Sequence, residues 1–407
     1  MLLLLLRPHA PIASGVSFFV QADFTGSFED ISDTAYRVTH SVGRQTELDR
    51  TETGSSVSVL DNHDRAYDPS YTGGPHYPNL LPGKKIRHQG AANGAIYDLF
   101  LGAVDPDGGW PQNWSQPLYH EVNVRANDGF AQLSRTQIPS GTAFPEELSG
   151  ARLHRLLDLA GWPPGQRLID DGQETIQGAA AGDLDGQDIL QHAFDVAVTE
   201  PGFVFVDGSG FFVFHDRHHR LKAPYTVAQA VFSDNPGVGE FLYSALTMQQ
   251  SKIINVWRVT RSGGVEQAAE DDESIDANGG RLEESIATLH VDDVTAFKYA
   301  QWRLSQTKDP RERFVSMLVE PLDDEDLWAQ VFARSLGDRV TVKRTPPGAA
   351  EQIVQDGHIE AISRDLFSLE AGTPSATWAL SPADQQTYWL AGEAGFSEAG
   401  VTTRAVF

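Results

Sequence analysis

The segment from Glu47 to Asp105 constrains the fold more than any other, because residue after residue in it dictates backbone geometry. Val57 and Val59 alternate with Ser56 and Ser58 ahead of Leu60, the period-two signature of a half-buried strand. A turn must follow. Asp61, Asn62 and Asp64 carry short side chains that hydrogen-bond their own backbone and tolerate left-handed geometry. The chain then stiffens: Pro69, Pro75, Pro78 and Pro82 each fix φ and restrict the residue before them. Gly73, Gly74 and Gly83 supply turns that need positive φ. A short strand at Lys84 to Arg87 and a longer one from Tyr97 to Val104 follow. The expectation is a strand, a long rigid loop and two further strands, too poor in chemistry to form an active site.

The whole chain has 407 residues, more than one hydrophobic core normally supports, so two to four domains are expected. Cysteine is absent, which removes disulfide frameworks, Cys-zinc sites and thiol catalysis together. The formal charge is −25, from 56 acidic and 31 basic side chains. That balance argues against a surface that binds nucleic acid by releasing phosphate counterions. Passage of DNA is a different matter, since a wall that repels phosphate keeps a duplex from sticking. Met1 to Leu6 is too short for a secretory apolar region and meets Arg7 and Pro8 at once, so no signal peptide is expected. No stretch approaches the roughly 20 apolar residues of a membrane span.

Residues 15 to 134 are strand-like, with Phe18–Val20, Ala35–Val42, Val57–Leu60, Tyr97–Val104 and Glu121–Ala126 separated by Gly, Pro, Asp and Asn clusters. Such spacing suits a barrel or sandwich, giving a first all-β domain over residues 1–142. An α+β unit is expected over 143–222. In it, Leu153, Leu156, Leu157 and Ala160 repeat at helical spacing and stop at Gly161. Ile189, Leu190, Ala193, Phe194 and Ala197 do the same after Asp188. Phe203–Val206 and Phe211–Phe214 flank Asp207-Gly208-Ser209-Gly210 as a hairpin. A second β-rich barrel with helices is expected over 223–375, followed by an extension over 376–407. Its helix from Asp292 or Asp293 to about Gln306 would share a face of Val294, Phe297, Gln301 and Leu304. A short helix carrying Leu327, Val331 and Phe332 stops at Gly337. Val340 and Val342 point inward from the strand that follows.

Candidate chemistry is thin. His215-Asp216-Arg217-His218-His219-Arg220 is the densest group of potential ligands, but two arginines would repel a cation; a solvated basic strand end paired with acidic neighbours is expected. Asp183 to Asp188 places Gly186 too early for an EF-hand loop, and helix N-capping by Asp185 or Asp188 is the expected role. His120-Glu121 lacks the second histidine of a zincin helix. The acidic runs Glu270–Glu273 and Asp323–Asp326 could hold paired carboxylates, yet such runs are usually solvated turns. Trp110, Trp114, Trp302, Trp328 and Trp389 are scattered, and core packing is their default. No nucleophile elbow, Walker loop or dinucleotide fingerprint occurs. No catalytic residue, cofactor or metal is assigned.

One resemblance covers most of the chain in separated patches. The run from Glu47-Leu48-Asp49-Arg50 through Val57–Arg87 to Tyr97–Asp105 resembles minor tail proteins of the tail tip of long-tailed bacteriophages, themselves similar to baseplate hub proteins. The matching residues are Leu60, Asp61, Asn62, Asp64, Asp68, Pro69, Tyr77, Pro78, Asn79, Leu80, Pro82 and Gly83. His63 stands where Arg is more usual, and Arg65 where Gly is. Thr199–His219, Leu336–Val342 and Tyr388–Phe407 resemble the same family. The resemblance implies a mainly β fold with α+β insertions and two tube-forming β-barrel domains, 1–142 and 223–375, with 143–222 inserted beside the first. It implies a non-enzymatic virion protein made in the host bacterial cytoplasm and placed at the distal end of the tail. Three copies would form a ring that caps the tail tube and continues its channel for DNA ejection. Expected partners are further copies of itself, a distal tail protein ring, other tail-tip proteins or a tail fibre or spike, and the tape measure protein, with double-stranded DNA passing through unbound. Rival readings are a distal-tail adaptor ring and a cell-wall hydrolase or glycan-binding tip module.

Overall fold

The computed structural model describes residues 15–115, 119–349, 351–366 and 373–383. The leucine run at the start and the Tyr388–Phe407 patch lie outside the described residues, as does Trp389.

The first half contains β1 (Ser17–Asp23), β2 (Phe28–Asp30), β3 (Ala35–Gly43), β4 (Glu52–Asp61), β5 (Lys85–Ala92), β6 (Ala95–Val104), β7 (Gln112–Ser115) and β8 (Tyr119–Asn127). Alternation buries Phe18, Val20 and Ala22 along β1. In β4 it runs the other way from the simple apolar reading: Ser56 and Ser58 are buried with Leu60, while Val57 and Val59 are half-buried on the opposite face. The reason is a polar interior. Ser58 Oγ lies 3.1 Å from Nε2 of the buried His88, so a small hydroxyl fits where a valine would leave the imidazole unpaired.

The ladder runs β2-β1-β5-β6-β8-β4-β3, with β7 on β8. Its two ends, β2 and β3, are consecutive in the chain, separated only by Ile31 and the 3₁₀ turn Ser32–Thr34. Residues 28–43 therefore form one bent segment that pairs with β1 at its start and β4 at its end, and the sheet curls into a ring closed by connectivity.

A first excursion leaves β8 through α1 (Phe130–Leu133), β9 (Glu147–Leu148), α2 (Ser149–Leu159), β10 (Arg167–Ile169), β11 (Thr175–Ile176), α3 (Ile189–Thr199), β12 (Phe203–Val206) and β13 (Phe212–His215). Both expected helices and the hairpin are present. The hairpin is apolar without alternation because it is covered on both faces: Phe203, Phe205 and Val213 join the core of the rings, and Val204, Val206, Phe212 and Phe214 join the core of the excursion. That second core also draws in Phe130, Leu133 and Ile138, which precede the expected start at 143.

The second half opens with β14 (Ala230–Ser233), β15 (Phe241–Leu242) and β16 (Ala245–Gln250). A second excursion carries β17 (Val256–Arg261), β18 (Gln267–Glu270), α4 (Asp272–Ala277), β19 (Glu283–Thr288) and α5 (Asp293–Thr307). The chain returns through β20 (Glu312–Val319), α6 (Glu325–Ala333), β21 (Arg339–Arg344), β22 (Ile353–Leu366) and β23 (Ser375–Pro382). Val340 and Val342 do point inward. The expected face of α5 holds at Leu304 but not at Val294, which is 64% exposed, or at Gln301, and the buried face is Ala296, Tyr299, Ala300, Arg303, Leu304 and Thr307. Small alanines let the helix approach its three-stranded sheet, and the buried guanidinium of Arg303 is taken up by the Tyr299 hydroxyl at 2.9 and 2.7 Å. β23 lies inside the second ring, beyond the expected boundary at 375.

The second ring repeats the plan of the first. β15 and β16 are separated only by Tyr243 and Ser244; β15 pairs with β14 and β16 with β20, and β20-β23-β22-β21-β14 completes the circuit. Strand for strand, β14, β15–β16, β20, β21, β22 and β23 occupy the places of β1, β2–β3, β4, β5, β6–β7 and β8. One strand differs in direction, since β14 is parallel to β21 whereas β1 is antiparallel to β5. The rings are fused where β22, having left β21 at His358, pairs with β3 from Ala361↔Gly43 to Leu366↔Val38. Among the described residues no helix is long and apolar enough to cross a membrane.

Candidate functional site

Each residue of the 61–83 loop holds a definable place. Backbone N–H groups of Arg65, Asp68, Tyr71, Gly74 and Tyr77 donate to the carbonyls of Asn62, Arg65, Asp68, Tyr71 and Gly74, a run of turns three residues apart. Leu60 is in the ring core. Asn62 is buried: its carbonyl accepts from Tyr67 N at 2.8 Å and its amide donates to Gln112 at 2.6 Å. Asp61, Asp64 and Asp68 accept from the backbone two residues on, at His63, Ala66 and Ser70. Asp68 also receives Arg65 at 2.8 and 2.6 Å. Pro69, Tyr77, Pro78 and Pro82 are exposed, with Tyr77–Pro78 in cis. Asn79 donates its N–H to His76 O and accepts from Leu81. Gly83 takes φ +78° and donates to Val104 O, tying the loop's end to β6.

A stack of rings anchors this loop to its barrel. His76 lies on Phe24 at 4.0 Å and beside Tyr67 at 5.4 Å, Tyr67 faces Trp110 at 6.0 Å, and Trp110 donates to Leu81 O. Of the loop's larger apolar side chains, Tyr71, Tyr77 and Leu81 are left outside. Trp114 on β7 is 70% exposed, against the core role expected of it, whereas Trp110 and Trp328 are buried as expected.

Between the rings lies a buried ionic joint centred on Glu360. Glu360, fully buried at a bulge of β22, accepts from Arg44 of the first ring at 2.8 Å, from Arg220 after the first excursion at 2.6 Å, and from Ser381 of β23. Burial alone would raise its carboxyl, but Arg220 and Arg44 together hold it far below the usual range. The flanking His358 and His215 are pushed down, first by burial and then by neighbouring cations, His358 to about 3. Arg364 is buried too, lowered by burial to about 9, and it donates to Val331 O and Arg334 O at the C-terminal end of α6. One signal existed: Glu360 interrupts the otherwise apolar Ile359, Ala361 and Ile362.

The His215–Arg220 segment belongs to this joint and is not a solvated strand end. His215, Asp216 and Arg220 are buried, His215 stacks on His219 at 3.4 Å, His219 meets Asp170 at 2.6 Å, and Arg217 pairs with Glu174 and Glu200. Its acidic partners are as expected; the burial arises because the segment lies between the excursion and the second ring. Asp188 caps α3 through Gln191 N, while Asp185 holds Ser140 and Gly141. Part of each acidic run is structural, while Asp272, Glu273 and Asp323 stay exposed. Asp271 caps α4 and pairs with Lys308, Asp324 caps α6, and Glu325 and Asp326 clamp Asn93 at the β5–β6 turn. His120 sits on β8 and stacks on His63 of the loop.

No protein-family model and no curated protein matches the sequence. Among solved structures, the tail protein from Neisseria meningitidis MC58 superposes with a TM-score of 0.60 at 12% identity, over 89% of this chain and 96% of that one. The 43 kDa tail protein of prophage MuSo2 from Shewanella oneidensis gives 0.55 at 14% identity, over 91% and 98%. At such identities the likeness is one of fold, and it extends over nearly the whole length of each chain. The described chain, mainly β with two helical excursions, has the fold of these two tail proteins.

Proposed function

We propose that this chain is a structural protein of a phage tail tip, a hub that caps the distal end of the tail tube as a ring of three copies. The observation that carries this reading is the pair of like rings fused through β3 and β22, in a fold shared with two tail proteins. Two rings per chain turn three copies into six tube-like sectors, the number that meets a six-fold tube. Curled sheets give a stiff wall with few free edges. The acidic excess lets DNA slide along the lumen during ejection without sticking. A distal tail protein ring on the tube side, the tape measure protein in the lumen, and a fibre or spike on the far side complete the proposed surroundings.

The reading is non-enzymatic, supported by Asp271, Asp324, Glu325 and Asp326 of the acidic runs being spent on helix caps and a clamp on Asn93. Averaged images of purified tails, with this chain marked by a small fused label, should show a threefold ring at the distal end. A sixfold ring would sink the hub reading and favour a distal-tail adaptor. Clearing of host cell-wall suspensions by the purified chain alone would overturn the non-enzymatic one.

A further inference from the structure

The chain has a formal charge of −25, yet Arg44, Arg50, Arg220 and Arg303 meet at one cavity. The cavity, of about 90 Å³, lies where three parts of the fold come together: the β3–β4 link at residues 48–51, α3 with its exit at Pro201, and α5 at Trp302. Ser381 and Pro382 of β23 complete its wall, and Ser381 also reaches the buried Glu360.

The charges around this cavity do not balance. Its lining acids are already engaged: Glu47 pairs with Arg313 at 2.7 Å, and Asp49 accepts from the N–H and hydroxyl of Thr46 at 2.9 and 2.8 Å. Glu360 offers a single charge to both Arg44 and Arg220. Arg50 bonds to Gln191 at 2.9 Å and stands 3.8 Å from Asp195. Arg303 lies among the rings of Trp257, Tyr299 and Trp302 and donates to the neutral Tyr299 hydroxyl; among the described residues no carboxylate pairs with it. Donors are left over as well. Arg220 is only 8% exposed, and while its Nη1 holds Glu360, its Nη2 finds no partner among the described residues. The same is true of the Trp302 indole N–H. Native interiors seldom leave a buried donor unpaired, and a buried guanidinium calls for an anion.

We propose that this cavity is a binding site for a carboxylate borne on a short apolar group, with Arg220 Nη2 and Trp302 Nε1 as its donors and Arg303 as its buried counter-charge. A carboxylate suits the wall better than a phosphate does. Its oxygens meet the free donors, while Leu48, Phe194, Val198 and Pro201 offer nothing to the further oxygens of a phosphate and cover a carbon chain instead. The volume equals the share of roughly three waters at about 30 Å³ each, room for the carboxylate and a carbon stub. Two sources can present that group: a free acid, or Asp384, Glu393 or Glu398, which the chain carries after Ser381 and Pro382. The inference stands on the cavity alone and does not depend on the number of copies in a ring.

Fluorine NMR of trifluoropropionate, titrated with the purified full chain, tests the site, with the neutral trifluoropropanamide as control. The acid should show saturable line broadening and the amide none. Trp302→Phe keeps an aromatic ring and removes the N–H; Arg220→Lys keeps a cation beside Glu360 and removes the free Nη2. Each should weaken binding about tenfold, and the melting temperature shows that the variant is folded. Binding to the wild type identifies a free acid as the source. Binding that appears only when Asp384→Asn, Glu393→Gln and Glu398→Gln are combined identifies the chain's own carboxylates. No binding in either chain, equal broadening by the amide, or affinity unchanged in both Trp302→Phe and Arg220→Lys would overturn the proposal.

Discussion

Arg65 occupies a backbone position that favours glycine, at φ +61°, inside a loop built from successive turns. A left-handed conformation costs a non-glycine residue on the order of 1–2 kcal/mol, offset here by the guanidinium, which grips Asp68 and covers the Tyr71 ring at 4.5 Å. Arg65→Gly removes both strain and grip, whereas Arg65→Ala removes the grip and keeps the strain. Urea denaturation should therefore find the alanine variant less stable than the glycine variant by about 1 kcal/mol. His88 makes a second residue-scale case. Burial lowers its pKa to about 3, so below pH 6.5 the unfolded chain takes up a proton that the folded chain refuses. Its contribution is complete above the unfolded pKa and is lost as pH falls toward the folded one, at about 1.4 kcal/mol per pH unit. Asp128, raised to about 7 by burial, acts in the opposite sense, so the difference between wild type and variant is the informative quantity. Relative to His88→Gln, the wild type should lose about 2 kcal/mol more between pH 6.5 and 5.

At the scale of elements, local pattern and tertiary contact divided the work unevenly. The helices ending before Gly161 and Pro201, the hairpin around Gly208 and the inward valines of β21 were legible because capping residues, turn residues and period-two runs act within a few positions. The faces of β4 and α5 were not, because each is decided by its neighbour: a buried imidazole makes room for serine, and a sheet selects alanine over valine. The ionic joint at Glu360 was hidden for the same reason, its partners lying far apart in the chain. Contact between elements also explains one glycine. A Cβ on Gly90 would come within 2.7 Å of the Phe332 ring, so β5 can receive α6 only without a side chain there. Gly90→Ala should cost about 1–3 kcal/mol. Adding Phe332→Ala should recover part of that loss, visible as non-additive melting in a double-mutant cycle.

For the whole molecule, the repeated ring order shows which parts build the wall and which are appended to it. Gln250 and Glu312 are paired at the tip of a hairpin, with Ser251 N donating to Arg311 O just beyond. The entire second excursion, β17 to α5, thus leaves and re-enters the ring at adjacent points. Its own core of Ile254, Trp257, Val259, Tyr299 and Leu304 is separate from that of the rings. It touches the first excursion through Thr199 with Leu289 and Tyr299 with Val198. The ring accordingly needs only a hairpin turn at this place, and Asn-Gly supplies one with the required positive φ. Replacing residues 252–310 by Asn-Gly should leave a folded chain with a strand-dominated circular dichroism spectrum and one cooperative melt. The melting temperature should fall by several degrees as the faces of Tyr299 and Leu289 are lost from the first excursion. Collapse of that variant to an unfolded spectrum would mean that the excursion organises the ring, and the order of construction argued from the strand path would be reversed.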